Sequence, residues 1–359
     1  MYLLLILMFS AGADEKIWTT EASGIPSPLT AQQVAIHPDG DIFLLDIAGE
    51  RRILHYHEDL GFVQAMAGLA SGSGKFPLAY RIAFHKDQLV VHEFNGIHLF
   101  TMDGKHLKTI NPPSKGGNLD RLVNGWLVVD KKFGSPYRTY TVSIASESML
   151  NKTKLDEWRQ DLYTKRDVKP GERFIGTPHN PAPDKGYVFT NAEGSRVYVC
   201  GSGSNIIKIY DAATKKVLST IELEKRVIPF DKAWGEAAYA KYEKEFRKDA
   251  RLAQANLYPF YPEHFPLVKD MFLGPDEKHL VVALWTGGDQ RYEYRVFDEQ
   301  GKAVDLGWSK SMIERVVKLT DTHAYTLYWD DKVGEAGVAR VPLNDLSQFL
   351  ATTTNESSL

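Results

Sequence analysis

Four charged residues, Arg81, Asp120, Asp270 and Arg315, stand at corresponding points of a repeating pattern in this sequence. Guanidinium and carboxylate groups brought to one place make charge-assisted hydrogen bonds, about twice as strong as neutral ones. Gathered around one opening, they would orient a polar or charged small ligand. Paired with each other, they would stitch the framework instead. Gln33 and Tyr187 occupy the same point in two further repeats. A second candidate group lies in residues 258–266, where Tyr258, Phe260, Tyr261 and Phe265 are interleaved with Pro259, Pro262 and Pro266 around His264. Aromatic rings supply contact area at little entropic cost, and proline keeps such a segment out of a central strand. The competing use of these rings is to anchor the segment to the body of the protein.

Other chemistries lack their residues. The sequence has no glycine-rich phosphate loop, no His-Glu-x-x-His, no Gly-x-Ser-x-Gly and no zinc-ligand spacing. Residues 201–204 read Gly-Ser-Gly-Ser, but they connect two strand patterns and open no helix, so they are no nucleotide cradle. His37 and His85 echo each other in matching turns, while His179 and His264 fall in insertions. Asp120, Asp270 and His264 are too few to favour a metal site, and no cofactor is expected. The single cysteine, Cys200, sits in a strand pattern and reads as a buried structural thiol.

The bulk composition narrows the partners. The chain has 359 residues, a net charge of −3, 43% hydrophobic and 25% charged residues. No basic field invites nucleic acid. Residues 1–9 form an apolar run too short to span a bilayer. Ala11 and Ala13 follow with the small-residue spacing of a cleavage site, although no Lys or Arg precedes the run. Residues 1–13 are therefore read as a signal peptide, and Asp14 as the start of an exported, monomeric protein with no integral membrane segment. Residues 151–153, Asn-Lys-Thr, match a glycosylation acceptor that occurs often by chance.

The elements that must position the candidates come from repetition. Residues 97–110, 206–221 and 294–304 each carry an alternating strand, an Asp-containing turn and a second alternating strand. Such hairpins bury a face only by stacking on copies of themselves. An inner hairpin precedes each place, and six of them can be counted, starting near Val34, Ile82, Leu119, Tyr187, Met271 and Val316. The reading is an all-β six-bladed β-propeller filling residues 14–359 as one domain. The last blade lacks its outer strand. Residues 17–22 supply a candidate, which would close the ring and remove exposed sheet edges.

The first repeat resembles the NHL-type six-bladed propellers. An Asp39-Gly40 turn leads to an apolar strand ending at Asp46, then a short polar loop leads to Arg52-Ile53. The resemblance implies a fold and a habit of binding on one face, with no particular activity.

Two insertions interrupt the pattern, about 146–183 and 225–267. In the second, Trp234, Ala238, Tyr242, Phe246, Ala250, Ala253 and Leu257 recur at three or four residues, which predicts a helix between blades four and five, capped by Asp231. Lys241–Glu245 and Glu243–Arg247 have the spacing of exposed helical ion pairs. In the first insertion, residues 155–163 fit either a helix or the outer strand of blade three. The links from outer to inner strands should share one face with the charged ring. The leading reading is a binding or interaction module for a small polar ligand, glycan or peptide at the channel mouth. The rival is a propeller lyase or hydrolase with its site at the same mouth.

Overall fold

The computed structural model describes residues 16–19, 31–46, 52–66, 79–111, 118–133, 137–161, 177–246, 257–287, 291–330 and 335–352, apart from single positions at 38, 60, 86, 94, 95 and 192. Strand β1 (Lys16–Thr19) comes first. Blade one is β2 (Ala31–Ile36), β3 (Asp41–Asp46), β4 (Arg52–His57) and β5 (Gly61–Met66). Blade two is β6 (Ala79–His85), β7 (Gln88–Glu93), β8 (Gly96–Thr101) and β9 (His106–Ile110). Blade three is β10 (Asn118–Leu122), β11 (Gly125–Phe133), β12 (Tyr137–Ala145) and β13 (Lys152–Asp161). A short strand, β14 (Thr177–His179), precedes blade four, which is β15 (Tyr187–Thr190), β16 (Arg196–Cys200), β17 (Ile206–Asp211) and β18 (Val217–Glu222). Next come β19 (Ile228–Pro229), helix α1 (Lys232–Phe246), β20 (Leu257–Pro259) and β21 (His264–Phe265). Blade five is β22 (Val268–Leu273), β23 (Leu280–Trp285), β24 (Tyr292–Phe297) and β25 (Ala303–Val304). Helix α2 (Lys310–Arg315) leads into β26 (Val316–Leu319), β27 (His323–Asp330) and β28 (Glu335–Pro342), and helix α3 (Leu346–Thr352) follows.

These are six four-stranded antiparallel sheets, the construction of a six-bladed β-propeller. Blade six runs β26-β27-β28-β1, so the early strand completes the last blade. Ile17 stands opposite Ala339 and Trp18 opposite Val338. The closing strand is thus where the sequence places it, spanning Lys16–Thr19; residues 20–22 lie outside the described residues.

The chain divides into two compact units. The first comprises Met1–Asn111, Pro275–Glu277 and Gly307–Leu359 and carries blades six, one and two. The second comprises Pro112–Gly274 and Lys278–Leu306 and carries blades three, four and five. Within each unit the middle blade is buried on both faces. Successive strand residues point to opposite sides, so β3 sends Phe43 and Leu45 towards Ile82, Leu89 and Val91 of blade two. Its Ile42 and Leu44 face Tyr325 and Val338 of blade six. In the second unit, Val197 and Val199 pack with Leu127, Val142 and Ile144 of blade three. Tyr198 and Cys200 pack with Met271, Leu280 and Val282 of blade five. Strands buried on both faces read as near-continuous apolar runs, and all six residues of β23 are buried.

Residues 152–161 form strand β13, so the open choice resolves to the outer strand of blade three; residues 162 and 163 lie outside the described residues. Helix α1 starts one residue after Asp231, whose Oδ1 accepts the Trp234 N–H at 3.0 Å as an N-cap. The expected helical stripe ran on to Leu257, but Leu257 opens strand β20. Pro259 drives the residue before it, Tyr258, into extended conformation, in keeping with a strand here. Residues 247–256, with Ala250 and Ala253, lie outside the described residues, as do Arg247 and the side chain of Glu245. A helical pair that the periodicity did not single out, Lys232–Glu236, closes at 3.7 Å.

A bulge recurs on the innermost strand of four blades. One extra residue intrudes between Ala31 and Gln33, between Ala79 and Arg81, between Val268 and Asp270, and between Val316 and Lys318. Bulges bend a strand and re-aim the side chains beside them.

Candidate functional site

The bulges sort the charged ring. Gln33, Arg81 and Asp270 each follow the extra residue directly, so these three positions are structurally equivalent. In blade six the residue after the bulge is Lys318. Arg315, expected near the start of that strand, is the last residue of α2 and directly precedes β26. Its guanidinium donates to the Leu350 carbonyl at 3.3 Å, tying α2 to α3, and burial pushes its pKa down. Asp120 lies on β10 and is only 7% exposed. Its Oδ2 accepts the Thr190 hydroxyl at 3.2 Å and its Oδ1 accepts the Arg121 N–H at 2.8 Å, so it joins blades three and four. Asp270 is exposed, with Oδ1 accepting the Met271 N–H at 2.9 Å. Arg81 is half-buried opposite His92. Tyr187 donates its hydroxyl to the Lys269 carbonyl, and burial, then Asp270, raises its pKa.

The second insertion builds a denser group within the second unit. Phe230, Trp234, Tyr261, Phe265 and Trp285 form a chain of ring contacts with centroids 4.6–5.9 Å apart. Phe265 and Trp285 are buried with Ile228 and Ala182 at its base. Tyr261 stacks on Phe230 with 25° between the rings and stays half-buried, as does Phe260. Burial raises the Tyr261 phenol pKa, so it serves as a neutral hydroxyl at ordinary pH. Pro259, Glu263 and His264 beside them are exposed. Gly235 makes the stacking possible. A Cβ there would sit 2.6 Å from Phe230 Cε1 and 3.1 Å from Tyr261 Cδ1. Arg291 reaches in from blade five, with its guanidinium 5.6 Å from the Trp234 ring and 2.9 Å from Asp231 Oδ2.

Two short pairings fix this surface. Strands β19 and β21 pair antiparallel, with Ile228 opposite Phe265 and Pro229 opposite His264. Strands β14 and β20 pair parallel, with Pro178 opposite Tyr258 and His179 opposite Pro259. The two insertions, separate in the sequence, are therefore fastened together. The sequence reading missed this ladder because two prolines sit in its six residues. It also missed Phe230, inside the second insertion, and Trp285, the last residue of β23, as partners. The side chains of Tyr258 and His179 lie outside the described residues.

Among the described residues no group of three His, Cys, Asp or Glu is placed to hold a metal ion. Cys200 is 1% exposed, and burial pushes its thiol up to about 12, as befits a packing residue. No described helix is long and apolar enough to cross a membrane.

No protein-family model matches this sequence, and no curated protein does. Solved structures do align. A protein of Bacteroides fragilis described as exported aligns at 11% identity over 92% of this chain and 96% of its own, with a TM-score of 0.47. The CNH domain of AfRom2 aligns at 11% identity over 92% and 99%, with a TM-score of 0.41. Kluyveromyces lactis Hsv2 aligns at 12% identity over 86% and 97%, with a TM-score of 0.32.

Proposed function

We propose that this chain is a binding module that takes a small polar ligand, glycan or peptide at the insertion surface of its second unit. The observation that carries the reading is the parallel pairing of β14 with β20. Two sequence-distant insertions are held together there, beside half-buried Phe260 and Tyr261 and exposed His264. Half-buried rings next to polar groups and stiffened by proline suit a ligand with apolar and polar faces. Tyr258 lies on the same ladder, and Asp270 lies five residues beyond Phe265. Asp120 and Arg315 have hydrogen-bond partners in the fold, so the reading leans on the aromatic residues of the second unit.

The reading includes export of the protein to a periplasmic or extracellular space, which residues 1–13 support. It also includes kinship with NHL-type propellers. In support, Asp46 ends β3 and pairs with Arg52, which opens β4.

A mixed glycan and peptide array tests the proposal. A retained ligand should lose binding with Tyr261→Ala and with Phe260→Ala while both variants melt like the parent. Binding unaffected by either change, or hydrogen-exchange protection confined to blades one and two, would overturn it.

A further inference from the structure

Blade two carries a chain of side chains that the insertion surface does not use. His98 on β8 stands directly opposite Thr109 on β9, and Glu93 ends the neighbouring β7. The His98 Nε2 lies 2.9 Å from Glu93 Oε2, and its Nδ1 lies 2.9 Å from Thr109 Oγ1. The His106 Nε2 lies 3.1 Å from the same hydroxyl.

Donor directions follow from one end. A carboxylate only accepts, so His98 Nε2 carries the proton facing Glu93. With that proton on Nε2, His98 Nδ1 serves as the acceptor and the Thr109 hydroxyl donates to it. The Thr109 oxygen is left to accept from the His106 Nε2–H. Burial pushes the His106 imidazole below its ordinary range, which keeps it neutral. The chain runs from the interior outwards. The His98 and Glu93 side chains are 6% and 8% exposed, whereas Thr109 is exposed. A hydroxyl in reach of a base, with the base oriented by a third group, is the arrangement of an activated nucleophile. It is recognised by geometry and not by fold or residue order.

We propose that Thr109 is the nucleophile of an acyl-transfer site on blade two, acting on small accessible esters, with His98 as its base and Glu93 as a positioning residue. The Thr109 oxygen attacks the acyl carbon as its proton passes to His98 Nδ1, and Glu93 stabilises the resulting imidazolium. The His106 Nε2–H is the side-chain donor at hand for charge developing on the carbonyl oxygen. The ester C–O bond breaks, and the departing alkoxide takes the proton from His98. Water then attacks the acyl-threonine, gives its proton to His98, and releases the acid as the threonine hydroxyl re-forms. Ester and water become acid and alcohol, with nothing oxidised or reduced.

The probe is p-nitrophenyl acetate with the full chain. Peptide mass spectrometry should find an acetyl group on Thr109, and p-nitrophenolate release should fall at least about tenfold in Thr109→Ala and His98→Gln, a modest share of what a general base supplies. Thr109→Ser should retain hydrolysis. Thr153→Ala, an exposed threonine on blade three, should leave it unchanged. Glu93→Gln should lower the rate and move the pH–rate profile, which a merely structural Glu93 would not. Thermal melts accompany each variant. If His98→Gln fails to fold, the Thr109 pair decides. No adduct on Thr109, together with equal hydrolysis by the parent and Thr109→Ala, would overturn the proposal.

Discussion

Asp231 serves two structures with one carboxylate. Its Oδ1 caps helix α1 at the Trp234 N–H, 3.0 Å away, while its Oδ2 receives Arg291 from blade five at 2.9 Å. The Trp234 N–H first, and Arg291 second, hold its carboxyl below the ordinary range. Its contribution is therefore complete at neutral pH and fades as pH falls through that lowered value. Asp231→Asn keeps the cap and loses the ion pair, whereas Asp231→Ala loses both. The midpoint of thermal unfolding at neutral pH should fall less for Asn than for Ala. Acidification should narrow the gap between the parent and Asp231→Asn.

Gly235→Ala should destabilise the insertion although alanine favours a helix. Alanine in a helix interior gains about 1 kcal/mol over glycine. The new Cβ, however, would meet the Phe230 ring at 2.6 Å, and crowding of that kind costs roughly 1–3 kcal/mol. The net change should be a loss, read from denaturant melts. Tryptophan fluorescence should shift with it, because Trp234 contacts Phe230.

Cys200 should be chemically silent in the native protein. Its thiol is 1% exposed and pushed up to about 12 by burial, so almost no thiolate exists at pH 8. Iodoacetamide should label it only at the rate of global unfolding. Labelling faster than unfolding would mean that the seam between blades four and five opens locally.

Proline at both Ile17 and Trp18 should remove ladder donors from β1 and free the edge of β28. Exposed edges template pairing with other chains. Light scattering should rise on mild heating well before the parent shows any, and the melting midpoint should drop.

The blades were legible because both faces of each middle strand are buried, which writes long apolar runs such as residues 280–285 into the sequence. The closing strand was legible by deficit, since blade six lacked a fourth partner. Residues 155–163 were ambiguous for a physical reason. Leu155 and Trp158 are three apart, as on a helix, yet both pack inward from a strand whose ladder shifts register nearby. Helices α2 and α3 went unread because six and seven residues carry too few apolar positions to show a period. The surroundings of two residues in the charged series were not legible. Counting along a strand cannot see the bulge that sets Lys318, and not Arg315, beside the extra residue. Nor can it see that Asp120 already serves Thr190.

The pairing of Ile17 with Ala339 also bears on how the protein is made. During synthesis β1 emerges long before its partner, and blade six has no complete sheet until β28 is out. Contacts between such distant residues form late, because the intervening chain must first be ordered. A nascent chain can assemble blades one to five in turn, as domains do during translation, but not finish the last sheet. Completion of blade six therefore waits for β28, and until β28 appears β1 has no partner strand and its edge stays open.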